Sequence, residues 1–313
     1  MDEKKILLAG LDNAGKTSIL MALEKKHSFT QILREIAPTI RIEYSQAEIL
    51  GVPVNVWDMG GQASYREVYS RRLDYYFADA DALIYVVDAQ DRARFDEAVA
   101  YLSDVLRYFF DEGLDVPTYV FFHKVDPKIR DSNETKARLT EYRRTIERKL
   151  FFWRQHVHVT ESSIFDVQSL AVAWSEVLSR VVPALGPVSS TIAKWGVKLP
   201  RIGSILFQAD GVVLAEDYPR DLSPEVLDEV FTKAREAMVL VEKMHLAGAF
   251  ADVVADTSSE RGVEFQLHRL EVGGASYYLA LLLRGEEAAA ADDNVSLFVE
   301  ELKEELARAR RGA

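Results

Sequence analysis

Residues 10–17 carry the most restrictive pattern in the chain, a glycine-rich run with the letters GLDNAGKT. It follows the apolar residues 6–9 and precedes the apolar-periodic residues 19–23, which is the strand–loop–helix context that a phosphate-binding loop requires. Glycines allow successive backbone N–H groups to turn inward around an anion, and the positive end of the following helix faces the same anion. The pattern therefore predicts a strand–loop–helix unit that binds the phosphates of a nucleotide.

The residues of this loop have separate expected roles. Lys16 is expected to reach the β- and γ-phosphates, and the hydroxyl of Thr17 is expected to bind Mg²⁺. The other predicted phosphate contacts are Asp12, Asn13, Ala14, Gly15 and Ser18. The alternative is a glycine-rich turn that carries Lys-Thr by chance, which the flanking apolar runs disfavour.

The overall composition limits the kinds of partner and chemistry that we expect. The chain has 313 residues, which predicts about two domains. Its formal net charge of −12 disfavours non-specific nucleic-acid binding, and the absence of cysteine excludes disulfides and thiolate chemistry. It has no apolar stretch of about 18 residues and no apolar signal core at its start. We expect a cytoplasmic protein with no direct membrane insertion, and recruitment to a membrane surface through partners stays open.

Short apolar runs alternate with longer helical patterns in the first part of the chain. Strand candidates lie at 4–9, 40–49, 52–58, 82–88, 117–123 and 156–160. Helix candidates lie at 16–26, 65–77, 92–112, 134–152 and 168–183. This alternation predicts an α/β fold, a doubly wound and mostly parallel sheet of six strands covered on both faces. The pair at 40–49 and 52–58, joined at Gly51, is typical of an antiparallel edge hairpin.

Glycine, proline and serine concentrate at 183–201, which predicts a domain boundary. The predicted domains are therefore 1–186 and 202–313, with 187–201 as a linker that has room for a short helix. The second domain is predicted to be a smaller α+β domain with a five-stranded antiparallel sheet. Its strand candidates are 202–208, 212–216, 249–255, 262–272 and 275–284, and its helix candidates are 223–246 and 293–310.

Three finer expectations concern side-chain burial. Alternation over residues 263–271 predicts a half-buried strand. The acidic–alanine run at 286–293 is interpreted as a solvated loop. The phenylalanine pairs at 109–110, 121–122 and 151–152 are expected to lie in the core.

A second motif, with the letters DMGGQ, ends the strand candidate at 52–58. Asp58 is placed to hold the Mg²⁺ shell, directly or through water, and so joins Thr17 as a predicted metal ligand. Gly61 can bring its N–H to a γ-phosphate without a side chain in the way. Gln62 is the residue type that orients an attacking water, and it is the predicted catalytic residue. An isolated run of this kind is typical of a β-turn, but its position behind a phosphate loop favours the nucleotide site.

A third motif, with the letters HKVD, ends the next buried strand candidate at 117–123. A carboxylate accepts two parallel hydrogen bonds from N1–H and the exocyclic amine of guanine, a donor pair that adenine lacks. Asp126 therefore predicts guanine selection, and the aliphatic stem of Lys124 can cover the base plane. As a lone tetrapeptide the signal is weak, and the two preceding motifs give it its weight.

Two loops are expected to complete the site. Thr39 could complete Mg²⁺ coordination only when a γ-phosphate is present; the alternative is an ordinary loop threonine before a strand. Ser163 and Ile164 follow the strand candidate at 156–160 and would close over the base through backbone N–H groups. The alternative there is a serine that caps the next helix.

Together these residues resemble the small Ras-like GTPases. The phosphate loop and the letters WDMGGQ look like the Arf branch, whereas His123, in place of the usual asparagine, resembles the Rag/Gtr branch. The segments at 38–45, 163–166 and 173–175 also follow the Rag pattern. The element order of residues 202–313 is similar to a roadblock/longin-like domain, which follows the GTPase module in Rag/Gtr proteins.

This resemblance implies a P-loop GTPase fold and a GTP-switched regulatory protein that hydrolyses GTP slowly with Mg²⁺. It places His123 among the nucleotide-binding residues. It implies dimerisation through the roadblock-like domain, as a homodimer or with a related Rag-like or roadblock protein, together with a GTPase-activating protein and an exchange factor. The alternative is a nucleotide-dependent scaffold that does not hydrolyse. A P-loop kinase or motor ATPase is disfavoured by Asp126 and by the absence of a second phosphate-acceptor site.

Overall fold

A computed structural model describes residues 3–24, 42–153, 156–199, 201–209, 211–218, 224–246, 253–256 and 263–312. The chain divides into two compact units, residues 1–48 with 52–173 and residues 49–51 with 174–313. Each unit contains one sheet, of six strands in the first and of five in the second. Within the described residues, no helix combines the length and the low charge needed to cross a membrane.

The first unit contains the predicted mostly parallel sheet. Its strands are β1 (Lys4–Gly10), β2 (Ile42–Ile49), β3 (Val52–Met59), β4 (Ala82–Asp88), β5 (Thr118–His123) and β6 (Val157–Glu161). Their spatial order is β2-β3-β1-β4-β5-β6, and the pairs β1–β3, β1–β4, β4–β5 and β5–β6 are parallel. Only two residues connect β2 and β3, a length that joins antiparallel strands alone. This topology confirms the fold class predicted from the sequence.

Helices connect these strands and cover the sheet. They are α1 (Lys16–Glu24), α2 (Ala63–Ser70), α3 (Leu73–Tyr76), α4 (Phe95–Asp111), α5 (Pro127–Arg130) and α6 (Asn133–Lys149). The next helix, α7 (Val167–Val181), begins in the first unit and ends in the second. Short 3-10 turns lie at Arg92–Arg94 and Phe151–Trp153. The central strands β4 and β5 are buried and mostly apolar between their ends, as is usual for parallel strands covered on both faces.

One predicted helix and three of the predicted core phenylalanines are wrong in the first unit. The helix expected at 65–77 is two helices, because Arg72 has φ −138° and ψ 45°, outside the helical region. Of the six phenylalanines expected in the core, Phe109, Phe121 and Phe122 are buried, whereas Phe110, Phe151 and Phe152 are 71%, 52% and 87% exposed. Phe109 and Phe110 are consecutive residues of α4 and point about 100° apart, so only Phe109 faces the core.

The second unit contains the predicted five-stranded antiparallel sheet. Its strands are β7 (Arg201–Gln208), β8 (Val213–Asp217), β9 (Val253–Asp256), β10 (Val263–Val272) and β11 (Ala275–Arg284), in the order β8-β7-β11-β10-β9. Its helices are α8 (Leu185–Lys198), α9 (Pro224–Leu246) and α10 (Gly285–Gly312). All four strand pairs are antiparallel.

Two helices of the second unit extend beyond what the sequence predicts. The linker at 187–201 leaves room for a short helix, and residues 185–198 form α8; its Pro187 lies in the first turn, where a helix tolerates proline. The acidic–alanine run at 286–293 forms the first turns of α10, consistent with the high helix propensity of alanine. The assignment of 1–186 and 202–313 as domains stays a prediction.

Strand β10 is buried more completely than its alternation predicted. Gln266, His268 and Arg269 are each less than a tenth exposed, so both faces of the strand are covered. Their polar groups are paired along the strand: Gln266 Nε2 donates to Glu264 Oε1, and Gln266 Oε1 lies 3.0 Å from His268 Nε2. Alternation fails here because hydrogen-bonded polar side chains can be buried at little cost.

Candidate nucleotide site

The three sequence motifs meet at one edge of the first sheet. Asp58 pairs in register with Leu8, Gly10 with Val86, and His123 with Asp88. Parallel strands present their carboxyl ends at the same edge, which is where open α/β sheets bind ligands. The order of the strands therefore brings the phosphate loop, the DMGGQ segment and the HKVD segment side by side.

The conformation of the phosphate loop requires its glycines. Gly10 has φ +144°, and a Cβ there would lie 2.3 Å from the carbonyl oxygen of Val86. Gly15 has φ +99°, and a Cβ there would lie 2.5 Å from Cδ2 of His123. Asn13 adopts φ 59°, the left-handed region that asparagine tolerates better than most residues. The close approach of neighbouring strands explains why the loop contains these residues at these places.

Lys16 lies buried at the start of α1 and faces the loop. Its Nζ donates to the carbonyl oxygens of Gly10, at 3.1 Å, and Leu11, at 2.8 Å. Burial lowers the pKa of Lys16 to about 8, because desolvation penalises the ammonium, while Asp58 partly offsets the shift. A cation held within a loop of backbone dipoles suits the binding of a polyphosphate.

Thr17 and Asp58 form the pair predicted to bind the metal. Thr17 Oγ1 donates to Asp58 Oδ2 at 2.6 Å, and Asp58 is fully buried. A hydroxyl and a carboxylate are hard oxygen ligands, and Mg²⁺ is commonly held by one or two such protein groups together with phosphate oxygens. The donor set therefore fits Mg²⁺. No cluster of three or more acidic, His or Cys side chains that could hold a metal alone occurs among the described residues.

Gly61 lies directly against the phosphate loop. The N–H of Asp12 donates to the carbonyl oxygen of Gly61 at 2.9 Å, and a Cβ on Gly61 would lie 2.3 Å from that nitrogen. Any side chain at position 61 would separate the two segments. Gln62 follows as the N-cap residue of α2, with extended φ −63° and ψ 146°. The backbone of Gln62, the predicted catalytic residue, therefore directly follows the residue that contacts the phosphate loop.

The HKVD segment connects the base end of the site to the phosphate loop. Lys124 adopts φ 66°, and its Nζ donates to Asn13 O and to Asp88 Oδ2, both at 2.7 Å. Asp126 Oδ1 accepts from Ser163 Oγ at 2.6 Å. Ser163 therefore orients the carboxylate predicted to read guanine. Sequence reasoning had expected the backbone rather than the hydroxyl of Ser163 to act.

The buried side chain of His123 packs against the phosphate loop. It is 1% exposed, its Nδ1 shares a 3.0 Å hydrogen bond with Ser162 Oγ, and its ring lies under Gly15. Burial, with a smaller effect from Lys124, lowers the pKa of His123 to about 3, so the ring is neutral at physiological pH. The neutral ring of His123 therefore fills the space between β5 and the phosphate loop.

The structure brings most of the predicted residues together. Ala14 and Ser18 are buried in the loop and the first turn of α1, and Ile164 is half-buried beside Ser163. Thr39 lies outside the described residues. The roles assigned to all these residues stay predictions.

Sequence reasoning missed Asp88, Gln90 and Arg94. Asp88 ends an apolar strand, a signal that could have been used. Gln90 Nε2 donates to Lys124 O at 2.8 Å, and Arg94 Nη2 donates to Asp12 Oδ1 at 2.7 Å. These two contacts join distant parts of the chain and leave no local pattern.

Comparison with known proteins yields relatives over both parts of the chain. ADP-ribosylation factor-like protein 3 of Caenorhabditis elegans is 37% identical over 138 residues, 44% of this chain and 68% of the relative. GTP-binding protein gtr1 of Schizosaccharomyces pombe is 24% identical over 294 residues, 92% of this chain and 91% of the relative. The solved small GTPase Arl6 of Trypanosoma brucei, with bound GppNp, has a TM-score of 0.44 and 20% identity, covering 57% of this chain and 98% of that chain.

The chain also matches a protein family along most of its length. The Gtr1/RagA G protein conserved region aligns with residues 5–224, well over half of the chain. It includes all three nucleotide motifs and extends into the second unit, past α8. The chain belongs to the Gtr1/RagA G protein family and is a GTP-binding small GTPase of the Rag/Gtr type.

Proposed function

We propose that this protein is a regulatory switch that hydrolyses GTP to GDP and phosphate slowly and in a Mg²⁺-dependent manner. In this proposal Gln62 is the catalytic residue, and Asp126 selects guanine. Thr17, Asp58 and Thr39 hold the metal. The rate expected without a partner is on the order of 10⁻⁴ s⁻¹, as for other small GTPases that lack an arginine finger in the site.

The observation that supports the proposal most strongly is the 2.6 Å contact between Thr17 and Asp58. It places two hard oxygen ligands beside the buried ammonium of Lys16 and beside the segment that carries Gln62. A site that bound nucleotide only as a scaffold would not require a water-orienting residue next to its metal ligands.

The residues of the chain have distinct parts in the proposed reaction. Lys16 exchanges its loop carbonyl partners for phosphate oxygens and stabilises their charge. The N–H of Gly61 binds the γ-phosphate, and the amide of Gln62 orients a water in line with the bond that breaks. Thr17 and Asp58 would hold Mg²⁺, which would supply positive charge to offset the charge of the phosphates. Loss of the γ-phosphate releases Gly61 and changes the position of α2.

The second unit is proposed to mediate dimerisation, with an identical chain or with a related Rag-like or roadblock protein. Val239 and Leu240 on α9 are 55% and 50% exposed, which supports an apolar interface there. An exchange factor and a GTPase-activating protein are the further proposed partners. We also propose a cytoplasmic location, with any membrane recruitment through partners. Light scattering of the purified chain with GDP and with a GTP analogue tests the self-pairing.

Single-turnover phosphate release tests the catalytic proposal. The wild type is loaded with GTP, Mg²⁺ is added, and the rate is compared with that of Gln62→Leu and with the wild type in EDTA. We expect Gln62→Leu to slow release about ten-fold or more, because an unoriented water reacts poorly, and to bind GTP with unchanged affinity. Equal rates for the two proteins would contradict the role of Gln62 and favour a scaffold that does not hydrolyse.

A further inference from the structure

Four charged side chains form a continuous chain of ion pairs beside the phosphate loop. Arg94 Nη2 donates to Asp12 Oδ1 at 2.7 Å, and Arg94 Nε donates to Glu97 Oε2 at 3.0 Å. The other carboxylate oxygen of Glu97 accepts from Arg66 Nη2. The chain thus links the phosphate loop, the start of α4 and helix α2.

The same four residues close into a ring through the backbone of Gly61. Arg66 Nε donates to the carbonyl oxygen of Gly61 at 3.0 Å, and the N–H of Asp12 donates to that same oxygen at 2.9 Å. Both ends of the ion-pair chain therefore return to the contact between the phosphate loop and the DMGGQ segment. We name this ring, made by Asp12, Gly61, Arg66, Arg94 and Glu97, the Gly61 clamp.

The charges of the clamp explain how an acidic residue can lie in a phosphate-binding loop. A carboxylate at position 12 repels a bound polyphosphate unless a cation neutralises it. Its hydrogen bond with Arg94 lowers the pKa of Asp12, and a hydrogen bond with the same guanidinium lowers the pKa of Glu97. Both carboxylates are therefore held in their charged forms by Arg94.

Arg66 is the more buried end of the clamp. Its side chain is 14% exposed, and its guanidinium lies 5.5 Å from the centre of the Tyr101 ring. Arg94 is 32% exposed, and Asp12 and Glu97 are 45% and 44% exposed. Single pairs at such exposure stabilise little, but a network that closes on a backbone carbonyl fixes the geometry of the carbonyl it surrounds.

We propose that Arg94 is a positioning residue for GTP, which acts through the Gly61 clamp to hold the Gly61 segment against the phosphate loop. This inference deepens the function proposed above and rests on it. The segment that the clamp holds contains the γ-phosphate contact and precedes Gln62. Loss of the clamp is therefore expected to weaken the binding of GTP more than that of GDP, and to slow hydrolysis.

Dissociation rates of GDP and of a non-hydrolysable GTP analogue test this inference. We expect Arg94→Ala to speed release of the analogue about five-fold or more relative to release of GDP, and to slow single-turnover hydrolysis. We expect Arg94→Lys to give a release ratio and a hydrolysis rate between those of Arg94→Ala and the wild type. An ammonium can pair with Asp12 but lacks the fork that also reaches Glu97.

The matched control is Arg92→Ala, which removes an arginine from the same 3-10 turn. Arg92 is 74% exposed and pairs only distantly, at 3.5 Å, with Glu141 on α6. We expect the ratio of the two dissociation rates in this variant to equal that of the wild type. Glu97→Gln provides a second test that keeps the shape of the side chain, and it is expected to shift the ratio in the same direction as Arg94→Ala.

Two failures are distinguishable. If Arg94→Ala, or Glu97→Gln where the alanine variant does not fold, changes GDP and analogue release equally or not at all, the clamp does not position GTP. In that case the wild type still binds and hydrolyses GTP. If instead the wild type does not hydrolyse GTP, the proposed function fails, whatever the variants do.

Discussion

At the level of single residues, His123 shows how a buried titratable side chain in the HKVD segment links pH to the stability of the fold. Histidine replaces the asparagine that most GTPases have there, and its ring fills the space between Ser162 and Gly15. Because the ring is buried, folding selects its neutral form. Because of this residue, the free energy of unfolding depends on pH, whereas an amide at this position would add no such dependence.

The pH dependence of stability tests this account of His123. Its pKa is about 3 when folded and 6.5 in its ordinary state, so the unfolded chain binds one more proton between these values. Stability is therefore fully present above pH 6.5 and falls by up to about 1.4 kcal/mol per pH unit as the pH drops below it. We expect His123→Gln to remove this part of the dependence, as measured by urea denaturation at pH 7.5, 6.5 and 5.5. Parallel curves for the two proteins would show that folding does not lower the pKa of His123, and would contradict this account.

The residues that could be predicted from the sequence are those whose function depends on local order. The phosphate loop is predicted from its glycines and its flanking apolar runs, Asp58 from its place at the end of β3, and Asp126 from its place after β5. The contact of Arg94 with Asp12 joins residues that are 82 positions apart. It depends on the packing of α4 against the loop, so no local pattern could indicate it.

At the level of elements, helix α8 shows why breaker residues alone do not define a linker. Gly186 and Pro187 lie in its first turn, where they interrupt no intrahelical hydrogen bond. The rest of the helix has a buried face that includes Val188, Ile192 and Trp195. The sequence leaves room for a short helix within 187–201, and the apolar period of these residues extends that helix to 185–198.

Trp195 is the residue through which α8 is expected to stabilise the second unit. Its ring stacks on Phe298 of α10 with centroids 5.5 Å apart, and its Nε1 donates to Glu301 at 2.8 Å. We expect Trp195→Ala to lower the free energy of unfolding by about 3–5 kcal/mol, as measured by circular dichroism in urea. Val197→Ala on the opposite, 91% exposed side should change it by less than about 0.5 kcal/mol. Equal effects of the two substitutions would mean that α8 behaves as a linker.

At the level of the whole molecule, the strand order of both sheets agrees with the predicted fold class. Strand–helix alternation predicts a parallel sheet, because consecutive parallel strands need a crossover connection, which is usually a helix. Short turns that contain glycine predict the antiparallel sheet. The break between α2 and α3 and the exposed Phe152 could not be predicted. They depend on which side of an element meets the core, and residue type does not determine that.

The account of the whole chain depends on the recognition of guanine by Asp126. The most direct test is a competition assay in which GTP, ATP and XTP displace a fluorescent GDP from the wild type, from Asp126→Asn and from Asp131→Asn. Asp131 is the matched control, a carboxylate five positions later whose side chain is 83% exposed. Two hydrogen bonds to a charged acceptor predict that the wild type binds GTP about 100-fold or more tightly than ATP.

In the same assay Asp126→Asn should lose this preference and gain affinity for XTP, because an amide donor matches the carbonyl that xanthine has where guanine has its amine. Asp131→Asn should behave as the wild type. Equal affinity of the wild type for GTP and ATP, or tight GTP binding that survives in Asp126→Asn, would contradict the account.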